Sequence, residues 1–192
     1  DTARGGGAPG ANSFMLISAT DLAALPTSGT PYTYMKARAD DAIATHDLTE
    51  PASSASPWLT NYHDSATGIN KGIETLACGL MYARTGITAY KTHVENVCRW
   101  IIGSETAAST NGTSAADANL AVARQLAGYI LAADLVGMSK TVTGTRAGWT
   151  STVWQDWLPT LYTTTIGTTA NKDTWAKNYV FATNHAAMFS QS

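Results

Sequence analysis

The stretch "TGINKGIETLACGLMYARTGITAYKTHVENVCRWIIG", residues 67–103, decides the fold class. Ile69, Ile73, Leu76 and Leu80 recur at the spacing of one helix face, and Gly86 stands where a helix C-cap glycine belongs. Tyr90, Val94, Val97 and Ile101 repeat the pattern up to Gly103. Only a tight turn near residue 87 separates the two runs, which predicts an antiparallel pair of helices. Cys78 and Cys98 sit almost level across that hairpin. A disulfide there would close a loop of about 20 residues and add roughly 3 kcal/mol. The other reading is two buried thiols behaving as small hydrophobes.

Helical signals continue on both sides of the hairpin. "SATDLAAL" (18–25) offers Ser18 as N-cap, Asp21 in the first turn and a stop at Pro26. "TPYTYMKARADDAIATH" (30–46) offers Thr30 as cap and Pro31 at the first helical position. An irregular stretch with two prolines follows, 48–66. Past a polar loop, "ADANLAVARQLAGYILAADLVG" (116–137) is apolar on nearly every side, the mark of a helix surrounded by protein. "TSTVWQDWLPTLYTTTIG" (150–167) predicts a further helix kinked or broken at Pro159. A last helix opens near Thr183. No alternating strand pattern runs longer than a few residues. The expected fold is all-α, helix hairpins in series, the arrangement of an α/α toroid or a helical solenoid. No clean repeat supports the solenoid.

Composition narrows the function classes. Charged residues make up 14% of the chain and the formal charge is −2. No basic stripe is present to neutralise phosphates, which argues against nucleic acid. No run of apolar residues is long enough for a membrane span. Lys and Glu are scarce while Thr, Ser, Ala, Asn and Gly abound, as on secreted or periplasmic proteins. "DTARGGGAPGANS" (1–13) reads as a flexible arm and would suit the end left after removal of a signal peptide. Asn111-Gly112-Thr113 is a sequon in a polar loop.

Several polar residues stand where burial makes them costly. The surrounded helix carries Asn119, Arg124, Gln125 and Asp134. An arginine there is either paired internally or lines a wet cleft, where its fork of donors would hold an anionic group. Tyr129 reads as a core tyrosine. The loop "PWLTNYHD" (57–64) gathers Trp58, Asn61, Tyr62 and His63, an aromatic face with amides and an imidazole, as a sugar-binding groove requires. Packing of its aromatics over the core edge is the plainer alternative. Asn184-His185, behind Thr183 as cap, fall in the first turn of the last helix, where the helix dipole favours a bound anion. An ordinary helix start would use the same residues. The four histidines lack metal-ligand spacing, so no metal is expected, and nothing calls for a cofactor.

Together, "NLAVARQLAGYILAADLVG" (119–137), the Trp-rich "WQDWL" (154–158) and "NYVFATNHAAMFSQS" (178–192) resemble the helical-toroid polysaccharide lyases of the alginate lyase superfamily. The segment 70–94, with Thr85-Gly86 ahead of Tyr90, is similar to the family's early hairpin. The resemblance covers roughly residues 57–192; the second consecutive Asn and nearby aromatic of many members are missing here. It implies an α/α toroid and β-elimination on a uronic-acid polysaccharide of alginate or glucuronan type. Asn184 and His185 would neutralise the C5 carboxylate, and we add Arg124. Trp58, Asn61, Tyr62, His63 and Asn119 would bind substrate. The family's proton-transferring Tyr normally lies downstream of the Asn-His segment. Residues 14–192 are therefore expected to be part of one toroid domain that continues beyond this chain, completed by a complementary polypeptide fragment. Two alternatives stand beside it. One is a toroid glycoside hydrolase with two opposed carboxylates, such as Asp64 and Asp117; the other is a non-catalytic glycan-binding helical module.

Overall fold

In the computed structural model of the chain, the described residues are 14–15, 17–46, 48, 71–104, 115–144 and 153–161, with 115–124 described by their backbone alone. They form six helices: α1 (Ala19–Ala24), α2 (Thr30–Thr45), α3 (Lys71–Thr85), α4 (Thr88–Ile101), α5 (Ala115–Leu135) and α6 (Trp154–Thr160). Among the described residues the fold is all-α, as the periodicity predicts. None of these helices is long and apolar enough to cross a membrane.

Local chemistry sets the helix ends. Ser18 Oγ accepts the Asp21 amide at 3.0 Å and so caps α1. The cap of α2 is Gly29, at φ +88°, with Thr30 already helical and Pro31 in the second position. The sequence reading placed this cap one residue late. Gly29 takes a left-handed conformation that a side chain would strain, and proline still sits where its missing N–H costs nothing. Gly86, at φ +70°, ends α3 and donates to Tyr82 O at 2.8 Å. After α5, Gly137 donates to Asp134 O and Met138 to Ala133 O, the paired bonds of a Schellman motif. Pro159 lies in the last turn of α6, which ends one residue later at Thr160. The first amides of α6 are satisfied by carbonyls of the preceding loop: Trp154 donates to Val142 O and Gln155 to Lys140 O.

The packing is built around α3. α2 runs antiparallel to it, since Ala39 meets Cys78 and His46 meets Glu74. α4 folds back along it as the hairpin predicts, and its Tyr90, Val94, Val97 and Ile101 are all buried. Their burial contributes roughly 2 kcal/mol each before entropy is counted. α5 runs in the same sense as α3, because Gly72 meets Gly128 and Gly79 meets Ala132. This is the most extensive helix pair of the described residues. A Cβ on Gly128 would lie 2.3 Å from Gly72 O, and one on Gly79 would lie 2.9 Å from Ala132 Cα. Backbone therefore touches backbone at this interface. α1 lies across the outside, held by Leu22 and by the Arg84 guanidinium, which donates to Leu22 O and Leu25 O.

One expectation fails on α3. Ile73, read as part of the core stripe, is 57% exposed, and Leu76 and Leu80 are half-buried beside α1. The buried residues are Gly72, Glu74, Thr75, Ala77, Cys78, Gly79, Met81 and Ala83. A helix enclosed by three others at close range needs small residues toward them, and its bulky aliphatics move to the outer edge. Of the two readings of the hairpin cysteines, the buried thiols hold. Cys78 and Cys98 are free and buried. They are level along the hairpin but face different neighbours: Cys78 Sγ points to Ala39 O on α2, Cys98 Sγ to Tyr129 O on α5. Gln125 and Asp134, flagged as costly on α5, hold other elements. Gln125 Oε1 accepts the amide of Gly72 at 2.7 Å and satisfies an orphan donor of α3. Asp134 Oδ2 accepts the amide of Met15 at 2.6 Å.

The backbone contact gives a direct expectation. Gly128→Ala should destabilise by about 1–3 kcal/mol in urea unfolding, because the clashing neighbour is a carbonyl that cannot swing away. Gly86→Ala should cost only about 1 kcal/mol, since its strain is purely conformational.

Candidate functional site

The sequence-predicted site residues fall outside what the structure describes. Trp58, Asn61, Tyr62, His63, Asn184 and His185 lie outside the described residues, as do Asp64 and the chain after Leu161. Asn119, Arg124 and Asp117 lie on the backbone of α5, and their side chains are likewise outside.

Among the described residues, chemistry gathers where α2 ends against α3 and α4. Lys71 Nζ lies 3.3 Å from Glu74 Oε2. The same oxygen lies 2.7 Å from His46 Nε2, and His46 Nδ1 lies 3.0 Å from His93 Nε2. The result is a chain of four polar groups through the core, ammonium to carboxylate to imidazole to imidazole. The His46 and Glu74 side chains are almost wholly buried, and Lys71 forms the partly exposed end. Each member is delivered by a helix feature. His46 is the C-cap of α2, its amide bonded to Ala42 O at 3.0 Å. Glu74 lies in the first turn of α3, where the helix dipole favours a carboxylate. His93 precedes Val94 on the buried face of α4.

The electrostatics follow from this order. Burial pushes the Glu74 carboxyl upward, but the His46 hydrogen bond and the Lys71 charge outweigh it, and the group ends below the usual carboxylate range. Burial lowers His93 to about 4, with a positive charge on His46 acting the same way, so His93 is neutral at neutral pH. A second polar pair stands two turns along α2, where Tyr90 Oη donates to Asp40 Oδ1 at 2.6 Å and Lys36 bridges the same carboxylate. Among the described residues, no group of His, Cys, Asp and Glu is arranged to hold a metal ion.

Sequence reasoning missed this chain of groups. Its histidines were weighed by spacing along the sequence, and residues 46, 74 and 93 are far apart there. The available signal was His93 on an apolar helix face, one residue from Val94 and three from Tyr90. The other was Glu74 amid the small residues of α3. Either pointed to a buried polar group in need of a partner.

Glu74→Ala should leave His46 and Lys71 without their carboxylate and cost about 3–5 kcal/mol in urea unfolding at pH 7. Glu74→Gln keeps an acceptor for His46 and should cost less than half as much. Equal losses for the two variants would mean that packing, not the charged hydrogen bond, is what Glu74 supplies.

No protein-family model, no curated protein and no solved structure matches this chain.

Proposed function

We propose that the chain belongs to a polysaccharide lyase that cleaves a uronic-acid polymer of alginate or glucuronan type by β-elimination. The observation that carries the reading is the alternation of helix sense: α3 and α5 run side by side in one direction, backed by α2 and α4 in the other. An α/α toroid is built from such a row, with same-sense inner helices lining a central cleft. α5 also carries Arg124 and Asn119, and the residue after Arg124 is locked to α3 through the amide of Gly72. The scarcity of Lys and Glu fits action outside the cytoplasm.

In this reading Asn184 and His185, joined by the Arg124 guanidinium, bind the C5 carboxylate of the sugar. Neutralising that carboxylate stabilises the negative charge that builds as the C5 proton leaves. The C5–H bond breaks to a base, its electron pair forms the C4=C5 double bond, and the C4–O4 bond breaks with a proton delivered to the departing oxygen. Trp58 offers a face for the sugar ring to stack on, and Asn61, Tyr62 and His63 offer partners for its hydroxyls.

Ultraviolet absorbance during incubation with a panel of uronic-acid polymers tests the proposal, because elimination creates a conjugated unsaturated uronate and hydrolysis does not. The expected result is rising absorbance that falls by about 100-fold or more in His185→Ala. New reducing ends without absorbance would replace the lyase with a hydrolase. Polymer binding with neither would make the chain a binding module.

A further inference from the structure

The His46–His93 contact has a limited capacity for protons. With Glu74 ionised, His46 Nε2 must carry a hydrogen to bond Oε2 at 2.7 Å. His46 Nδ1 and His93 Nε2, 3.0 Å apart, must share one hydrogen between them. The two rings can satisfy both contacts when neutral, or with one positive charge on either ring. A second charge sets N–H against N–H and places two imidazolium rings with centroids 5.0 Å apart. The hydrogen bond then becomes a repulsion inside the core.

We propose that this contact is an acid-sensitive lock that releases the C-terminal half of α2 from the α3–α4 hairpin. His46, the C-cap of α2, ties that helix to the polar chain, and the C-terminal half of α2 otherwise presents only small side chains to the core. The fully buried residues of α2 are Ala39 and Ala42, both in the C-terminal half; Tyr32 and Met35, nearer the N-terminus, are partly buried against the core. Two alanines contribute little burial energy, so the polar contacts carry much of the attachment of this half. α4, by contrast, is anchored by its aliphatic and aromatic face, and α5 by its backbone contact with α3.

The surrounding groups leave the two imidazoles to act. Lys71 and Glu74 of α3 act on the pair directly, and Cys78 of α3, Tyr90 and Cys98 of α4 and Tyr129 of α5 belong to the same core. Burial pushes Cys78 up to about 12 and raises Cys98, Tyr90 and Tyr129 further, so all four keep their protons. On α2, Asp40 is held below the ordinary carboxylate range by its bonds to Lys36 and Tyr90. Folded His93 binds its proton more weakly than a free histidine does. The attachment is therefore at full strength above the ordinary value of 6.5 and weakens as pH falls from there toward 4. Protonation of Glu74 adds to the loss only below the ordinary carboxylate range.

Amide hydrogen exchange of the whole chain between pH 7 and pH 4.5, corrected for intrinsic exchange rates, tests the lock. The expected result is that α2 loses protection by about 100-fold over this range while α5 keeps its own, since two pH units below 6.5 are worth two powers of ten for one proton. His93→Gln, which keeps a hydrogen-bonding group without a titrating one, should flatten that dependence. Loss of protection in α2 and α5 together, or an unchanged dependence in His93→Gln, would overturn the proposal. Should that variant fail to fold, imidazole nitrogen shifts of the native chain decide. Strongly coupled titration of the two rings supports the lock, and independent titration of both near 6.5 refutes it.

Discussion

The rest of the fold depends on the approach of α3 and α5. Their backbones touch where Gly72 faces Gly128, and no room is left there even for a methyl group. So close a contact fixes the sense, the register and the rotation of both helices at once. Gln125 reinforces the register by accepting the Gly72 amide. With α5 occupying that side of α3, the remaining sides must receive α2 and α4, and small residues must face them. That constraint accounts for Ala77 and Cys78 inside the protein and Ile73 outside it. Side-chain volume, not hydrophobicity alone, decides which way α3 turns.

The same constraint explains why a carboxylate sits in the core. Glu74 lies in the first turn of α3, at the level where α2 ends and α4 passes. Once α3 is locked against α5, Glu74 has no route to solvent, and its charge requires donors. Lys71 and His46 supply them, and His93 closes the remaining ring nitrogen. A buried charged chain of this kind contributes little net stability over an apolar core, but it penalises every arrangement in which its members are mismatched. It thereby ties the end of α2 to one level of the hairpin. His46 and Lys71 also flank residues 47–70 in the sequence, so the chain of bonds fixes both points from which that segment departs. Trp58, Asn61, Tyr62 and His63, proposed above to bind glycan, lie within it.

The sequence made the helices legible because periodicity and punctuation are local. Ser18, Gly86, Gly103 and the face of α4 carry their meaning within one or two turns. The orientation of α3 was not legible in this way. The run Ile69, Ile73, Leu76 and Leu80 is a good helical stripe, and reading it as the core side ignores what the other side touches. Glycines at 72, 79 and 128 were the counter-signal, since each weakens a helix by roughly 1 kcal/mol and is kept where another backbone comes close. Of the two readings of Cys78 and Cys98, the buried thiols hold, for a similar reason. Equal height along a hairpin says nothing about the direction in which each Cβ points, and a disulfide depends on direction as much as distance. Gln125 was singled out by its cost, correctly, and its partner proved to be a helix amide. The residues proposed for catalysis rest on chemistry and family resemblance, and their geometry belongs to parts of the chain beyond the described residues.

The central claim is that α3 turns its small residues inward against its neighbours. Thiol titration tests this most directly. Cys78 lies five residues from Ile73, about 140° away around the helix, so the two cannot both face the core. With Ile73 outside, Cys78 is enclosed against Ala39 and its thiol is held at about 12, unreactive on both counts. The account predicts no reaction of native protein with an aromatic disulfide reagent at neutral pH, and two free thiols after denaturation without reductant. Rapid labelling of Cys78 in the native chain, or a bridge to Cys98 that leaves no thiol to titrate, would contradict it.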